Sequence, residues 1–205
     1  FMFEDGSYGS ASVQSQSPSV KAKTAAGASL TSGSLVGSVT STNLKAKMDV
    51  LDNVSVGITF YRQAGIKLDY QTNWSGAAPL PPKTVMPKVD LDVSALAVLV
   101  KYGFNENFSA LAGIKNGTAS DATVLIPIAV GVNATATGKS ALSYIAGAAY
   151  EIPELALRAE LMYETSAAYS LPTSFAVMAP IAGVTAGLAT AQTGTIDAST
   201  PDYIN

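Results

Sequence analysis

The stretch YEIPELALRAELMYETSAAYSLPTS, residues 150–174, decides how this chain is read. From Leu155 onward every second position is apolar or small: Leu155, Leu157, Ala159, Leu161 and Tyr163. Arg158, Glu160 and Glu164 fall between them. Wound as a helix, the segment scatters these charges around the cylinder. Laid out as a strand, it separates a charged face from an apolar one. Ala, Leu and Glu favour helix intrinsically, but the period is the stronger signal. VSVGITFY, residues 54–61, repeats the pattern, with Val54, Val56, Ile58 and Phe60 on one face and Ser55, Gly57, Thr59 and Tyr61 on the other.

The chain has 205 residues, the length of one domain or a large part of one. It is 48% hydrophobic and 13% charged, and that charge content is about half the share usual in a soluble domain. A net charge of −3 offers no attraction to nucleic acid. There is no Cys and no His. Disulfide scaffolds, Cys/His zinc sites, thiol catalysis and histidine acid–base chemistry are therefore excluded. The many serines have no histidine with which to form a triad. Neither an enzymatic activity nor a cofactor or resident metal is expected. No run approaches the roughly 20 apolar residues of a membrane-spanning helix, and ALAVLV, residues 95–100, is of strand length. The opening FMFEDGSYGS has neither the basic start nor the apolar core of a signal peptide. The chain is expected to begin inside a longer protein.

Three tight polar turns stand between strand candidates: LDNV (51–54), FNENF (104–108) and YEIPEL (150–155). Asn, Asp and Pro supply the backbone angles such turns need, so each reads as a hairpin. The other connections read as long loops, over 21–42, 63–88, 115–140 and 166–199. Strand, tight turn, strand and long loop recur at intervals of about 50 residues. Long loops are uncommon in compact soluble domains. Short turns at one end and long loops at the other are the asymmetry of outer-membrane β-barrels. The predicted fold is all-β: an antiparallel up-and-down transmembrane β-barrel, incomplete, with long extracellular loops, in which residues 1–205 form part of a single barrel domain. A soluble or surface-exposed β-rich protein of structural or adhesin-like type has the same alternation, and detergent dependence separates the two. Tyr102, Phe104, Phe108, Tyr150 and Tyr163 fall near strand ends, where barrels carry aromatic girdles and where other β proteins cap hydrophobic faces.

Several stretches resemble the FadL-type long-chain fatty acid and hydrophobic-compound transporters of Gram-negative outer membranes. MFEDGSYGSASVQSQSPSV resembles the first barrel strand of that family, LDNVSVGITFYRQAG a turn and the third strand, and KYGFNENFSALAGI the next hairpin. GAAYEIPELALRAELMYETSAAYSLPTS, followed by STPDYIN, is the most specific match. The resemblance implies about seven or eight strands of a 14-stranded barrel, with the family's N-terminal hatch and later strands lying outside the chain. It implies a passive route for long-chain fatty acids or other hydrophobic small molecules, a location in outer-membrane lipid, and a monomer at full length. In the family the ligand leaves sideways through an inward kink in the third strand. Carried onto this chain, that places Tyr61, Gln63 and Gly65 at the portal, since a glycine in a strand permits a bend. A glycine that merely begins a loop is the alternative for Gly65. The apolar run ATVLIPIAVGVNA, residues 122–134, corresponds to a loop that forms an outer hydrophobic groove, with Leu125, Ile126, Ile128 and Val130 as its ligand-facing residues. An ordinary strand rising above the membrane is the alternative there. Arg158, Glu160 and Glu164 would face the lumen, with Arg158 paired to a lumenal carboxylate.

Other constellations are weak. Asp90 and Asp92 share a strand face and, with Asp69, present oxygen ligands of the kind Ca²⁺ takes. Such a set is more often simply solvated. Glu160 and Glu164 are about 13 Å apart along a strand, too far for a tight acid pair.

Overall fold

A computed structural model describes residues 1–23, 31–70, 74–75, 88–126, 132–155, 157–177 and 192–204. They form an all-β structure dominated by one antiparallel sheet of twelve strands, which is not closed. The twelve strands are eight passes of the chain. β1 (Tyr8–Gln16) pairs with β3 (Val39–Leu51), β3 with β4 (Val54–Asp69), and β4 with β6 (Lys88–Gly103). The fifth pass is β7 (Phe108–Ala119) and β8 (Ala122–Ile126), and the sixth is β9 (Val132–Ala136) and β10 (Ser140–Ile152). The seventh is β11 (Leu157–Glu164) and β12 (Ala168–Val177), and the eighth is β13 (Gln192–Ser199) and β14 (Tyr203–Ile204). Two short strands, β2 (Thr31–Ser32) and β5 (Trp74–Ser75), pair with each other apart from the main sheet.

The three expected tight turns all lie at one end of the sheet. In the first, Asp52 and Asn53 separate β3 from β4. In the second, the Asn105 side chain accepts hydrogen bonds from the Asn107 and Phe108 backbone N–H groups, at 2.9 and 2.7 Å, so asparagine builds the bend from its own carboxamide. The third contains a 3-10 turn, Pro153–Leu155. Leu155 therefore belongs to the turn, and the alternating strand begins at Leu157. Asn107 ties the last two turns together, donating through Nδ2 to the Glu151 carbonyl while its own carbonyl accepts from the Glu151 N–H.

The long-loop reading is corrected at the other end. β4 runs on to Asp69, and β8, β9, β12 and β13 are paired strands where loops were expected. Their Ala, Thr, Ser and Gly content resembles loop composition, but ladder pairing with neighbours decides their state. Residues 122–126 and 132–134 of the apolar run are strand, as its alternative reading held, while Ile128 and Val130 lie outside the described residues.

The two faces of the sheet differ. One is open and apolar, with Leu44, Met48, Ile58, Phe60, Leu96, Val98, Val100, Ile114, Leu142, Leu157 and Leu161 exposed on it. The other is covered by the first residues of the chain. Met2, 2% exposed, packs with Ala97, Leu99, Leu111 and Ile145, and Phe1, Phe3 and Met162 pack around them. Gly6, at φ 64°, turns the chain from this segment into β1, a conformation that suits glycine. Lys47, buried on β3, donates to the Glu4 and Gly6 carbonyls and pairs with Asp49 at 2.7 Å.

Candidate functional site

The covered face carries the polar chemistry. The alternation predicted for the seventh pass is present: Arg158, Glu160 and Glu164 share this face, while Leu157, Ala159, Leu161 and Tyr163 share the open one. Arg158 Nη1 lies 3.5 Å from Glu151 Oε1, and its guanidinium sits 4.6 Å from the Phe3 ring centre. Lys101 Nζ lies 4.8 Å from the same ring. Phe3 thus has two cations close to its ring, a contact favoured by the charge distribution of an aromatic face. Glu160 lines a cleft with Phe1, Met2, Phe3 and Arg158.

Further from the turns, Lys115 of β7 is 3% exposed in its side chain and pairs with Glu164 of β11 across the intervening β10. Ser143 of β10, fully buried, also donates to Glu164, at 3.3 Å. A layer above, Tyr169 of β12 reaches over the sheet to Gly117 of β7. A Cβ at Gly117 would lie 3.5 Å from Gln63 Oε1 and would collide with the Tyr169 hydroxyl. The side-chain oxygens of Tyr169, Gln63, Thr59 and Asn43 are buried and have no hydrogen-bond partner among the described residues. Each such group costs about 1–3 kcal/mol if nothing satisfies it.

The sites expected from sequence are brought together only in part. Tyr61 and Gln63 lie at this polar layer, with Gln63 at a bulge between Arg62 and Ala64. Gly65 sits two residues further on, where the ladder to β6 continues unbroken to Asp69. Its neighbour is the Arg62 guanidinium, whose Nε pairs with Asp92 at 2.7 Å. The irregularity of this strand is thus at Gln63, not at Gly65. Leu125 and Ile126 are in β8. Asp90 and Asp69 are engaged by Lys67 and Lys88, at 3.7 and 3.4 Å. Among the described residues no cluster of carboxylates could hold a metal ion. Tyr169, Lys115 and Ser143 were missed, and β12 was missed with them, since it lay in a segment expected to be loop.

The chain matches no protein-family model, and no curated protein matches it.

The open face has a defined height. At the turn end it is rimmed by Tyr102 stacked edge-on to Phe104, centroids 5.1 Å apart, and by Phe108 against Tyr150 at 4.7 Å. At the other end its last apolar residues on β3, β4, β6 and β10 are Leu44, Phe60, Leu96 and Leu142. Beyond them come a Thr118–Ser140 hydrogen bond of 3.0 Å and the Arg62–Asp92 pair. From Tyr102 to Leu96, or from Tyr150 to Leu142, the strand covers roughly 20–26 Å.

Proposed function

We propose that the chain is part of an outer-membrane β-barrel of the FadL type, which admits long-chain fatty acids or other hydrophobic compounds by passive diffusion. The observation that carries this reading is the open face: an apolar band, rimmed by aromatics at the turn end and by polar pairs at the other, with the charges on the opposite face. At the strand tilt of about 35–45° usual in barrels, its length along the strands gives a height of roughly 14–21 Å, the greater part of the band of about 25 Å that barrels present to lipid. A soluble protein seldom exposes an apolar patch beyond a few hundred Å². In this reading the covered face lines the lumen, with Arg158, Glu160 and Glu164 directed to it and Glu164 held by Lys115 and Ser143. Tyr61 and Gln63 meet the ligand, and β8 and β9 rise above the membrane. The protein acts as a conduit, not an enzyme, and at full length is a monomer in outer-membrane lipid.

The experiment is uptake of a labelled long-chain fatty acid by cells carrying the full-length protein, compared with cells lacking it and normalised to folded protein in the outer membrane. Uptake above the control is expected. Equal uptake, from protein that stays monomeric in buffer without detergent, would replace this reading with a surface-exposed β-rich protein.

A further inference from the structure

β4 changes phase once along its length. Ile58 and Phe60 are exposed on the open face, and Arg62 stands opposite Ser94 on that face. The extra residue at Gln63 then reverses the alternation. Beyond it Ala64, Ile66 and Leu68 stand opposite Val93, Leu91 and Val89, while Gly65, Lys67 and Asp69 stand opposite Asp92, Asp90 and Lys88. Leu91 and Val93 pack against the buried cluster of the covered face. Residues directly opposite in a ladder share a face, so the second set lies on the open one. Without the bulge, Ala64, Ile66 and Leu68 would have carried the apolar band further along β4. With it, the band stops and a belt of charge begins, which is the re-aiming that bulges perform.

The belt holds three cross-strand ion pairs. Arg62 bonds Asp92 at 2.7 Å, Lys67 faces Asp90 at 3.7 Å, and Lys88 faces Asp69 at 3.4 Å. Gly65 leaves room for the first: a Cβ there would come within 2.7 Å of the Arg62 guanidinium carbon. Arg62 is 13% exposed in its side chain, whereas Lys67, Asp90, Lys88 and Asp69 are 38–48% exposed. Half-exposed pairs of that kind contribute little to stability, so folding alone does not account for them. Below the belt, on β3, β4 and β6, the open face has an apolar hollow of about 310 Å³ lined by Ala46, Met48, Val56, Ile58 and Val98.

We infer that belt and hollow together form a docking surface for one phosphorylated glycolipid of the outer leaflet, its phosphates on Lys67 and Lys88 and an acyl chain in the hollow. The inference rests on the outer-membrane reading above. The spacing selects the lipid. Asp92 and Lys88 lie roughly 13 and 27 Å along the strand beyond Leu96, the last apolar residue of β6. A glycerophospholipid head reaches only the Arg62 level, where the cation is enclosed and committed to Asp92. A lipid whose sugars carry phosphates outward also meets the two exposed lysines. The carboxylates between them suit the divalent cations that such a lipid holds between its phosphates. An anion with no acyl chain would leave the hollow unused.

The test is native mass spectrometry of full-length protein, titrated with lipopolysaccharide that has a phosphorylated inner core. Heat-modifiable migration confirms that each variant is folded. Saturable binding of one molecule is expected. Replacing both lysines, Lys67→Gln with Lys88→Gln, should weaken it roughly thirtyfold, from about 1 kcal/mol for each cation at an anionic lipid surface. Lipopolysaccharide stripped of its phosphates should bind the native protein as weakly. Ala46→Trp, which fills the hollow, should weaken binding roughly fourfold, the worth of about one buried methylene. Ala112→Trp, on the open face of β7, should change nothing. Phosphatidylglycerol should bind more weakly and ignore the lysine replacements, and inorganic phosphate should displace nothing. Lipopolysaccharide binding that is indifferent to the lysines, displacement by inorganic phosphate, or equal behaviour of phosphatidylglycerol overturns the docking surface and leaves the transport reading standing. Protein that stays monomeric in buffer without detergent and binds none of these lipids overturns both.

Discussion

Lys115 and Glu164 are buried to different degrees, and the lysine is the more enclosed. Removing only the cation leaves a carboxylate with Ser143 as its remaining donor. Lys115→Met should lower stability by about 3 kcal/mol, the scale for breaking a buried pair, read from the urea midpoint in lipid vesicles. Glu164→Gln added to it should recover much of the loss, and an equal loss in the double variant would show that packing of the lysine stem was what mattered. Gly57 has a different role. A Cβ there would reach the Met2 sulfur and come within 2.8 Å of the Phe1 ring. Gly57→Val is expected to lift the first residues off the sheet, raising hydrogen exchange over 2–6 and costing about 1–3 kcal/mol. Unchanged exchange there would mean that the segment shifts without detaching. Gly65→Val meets the guanidinium end of Arg62 first, so it should loosen the Arg62–Asp92 pair and change stability by less than about 1 kcal/mol.

β11 was legible in the sequence because its two faces differ in chemistry at every step from Leu157 to Glu164. Cysteine scanning of this strand has no native thiol to interfere. A water-soluble maleimide should label cysteines placed at Arg158 and Glu160 and spare those at Leu157 and Leu161; the reverse pattern would invert the faces. β4 was legible for the same reason up to Gln63, where an extra residue shifts its register against β6. β12 and β13 were not legible, and β8 and β9 were legible only as the alternative to a loop. In NATA, at the end of β9, small residues occupy both faces, so the alternation carries little contrast. The polar layer was hidden with them, since Tyr169 sits in β12.

Across the molecule, the apolar band predicts a depth-dependent response to charge. Val98→Arg, in the middle of the open face, should cost about 2–4 kcal/mol in lipid, whereas an arginine replacing Thr118, beyond the band, should cost far less. Equal costs would remove lipid from the open face. Both edges of the sheet, β1 and β13, are exposed along their length and so invite pairing. The orientation of these edges carries a parity rule. Eight antiparallel passes leave the first and last strands running in opposite directions, one away from the tight-turn end and one back toward it. Any up-and-down set of strands that bridges them and keeps every junction antiparallel must have an even number of members. An odd insertion would force one parallel seam, with slanted bonds and a crossover in place of a hairpin.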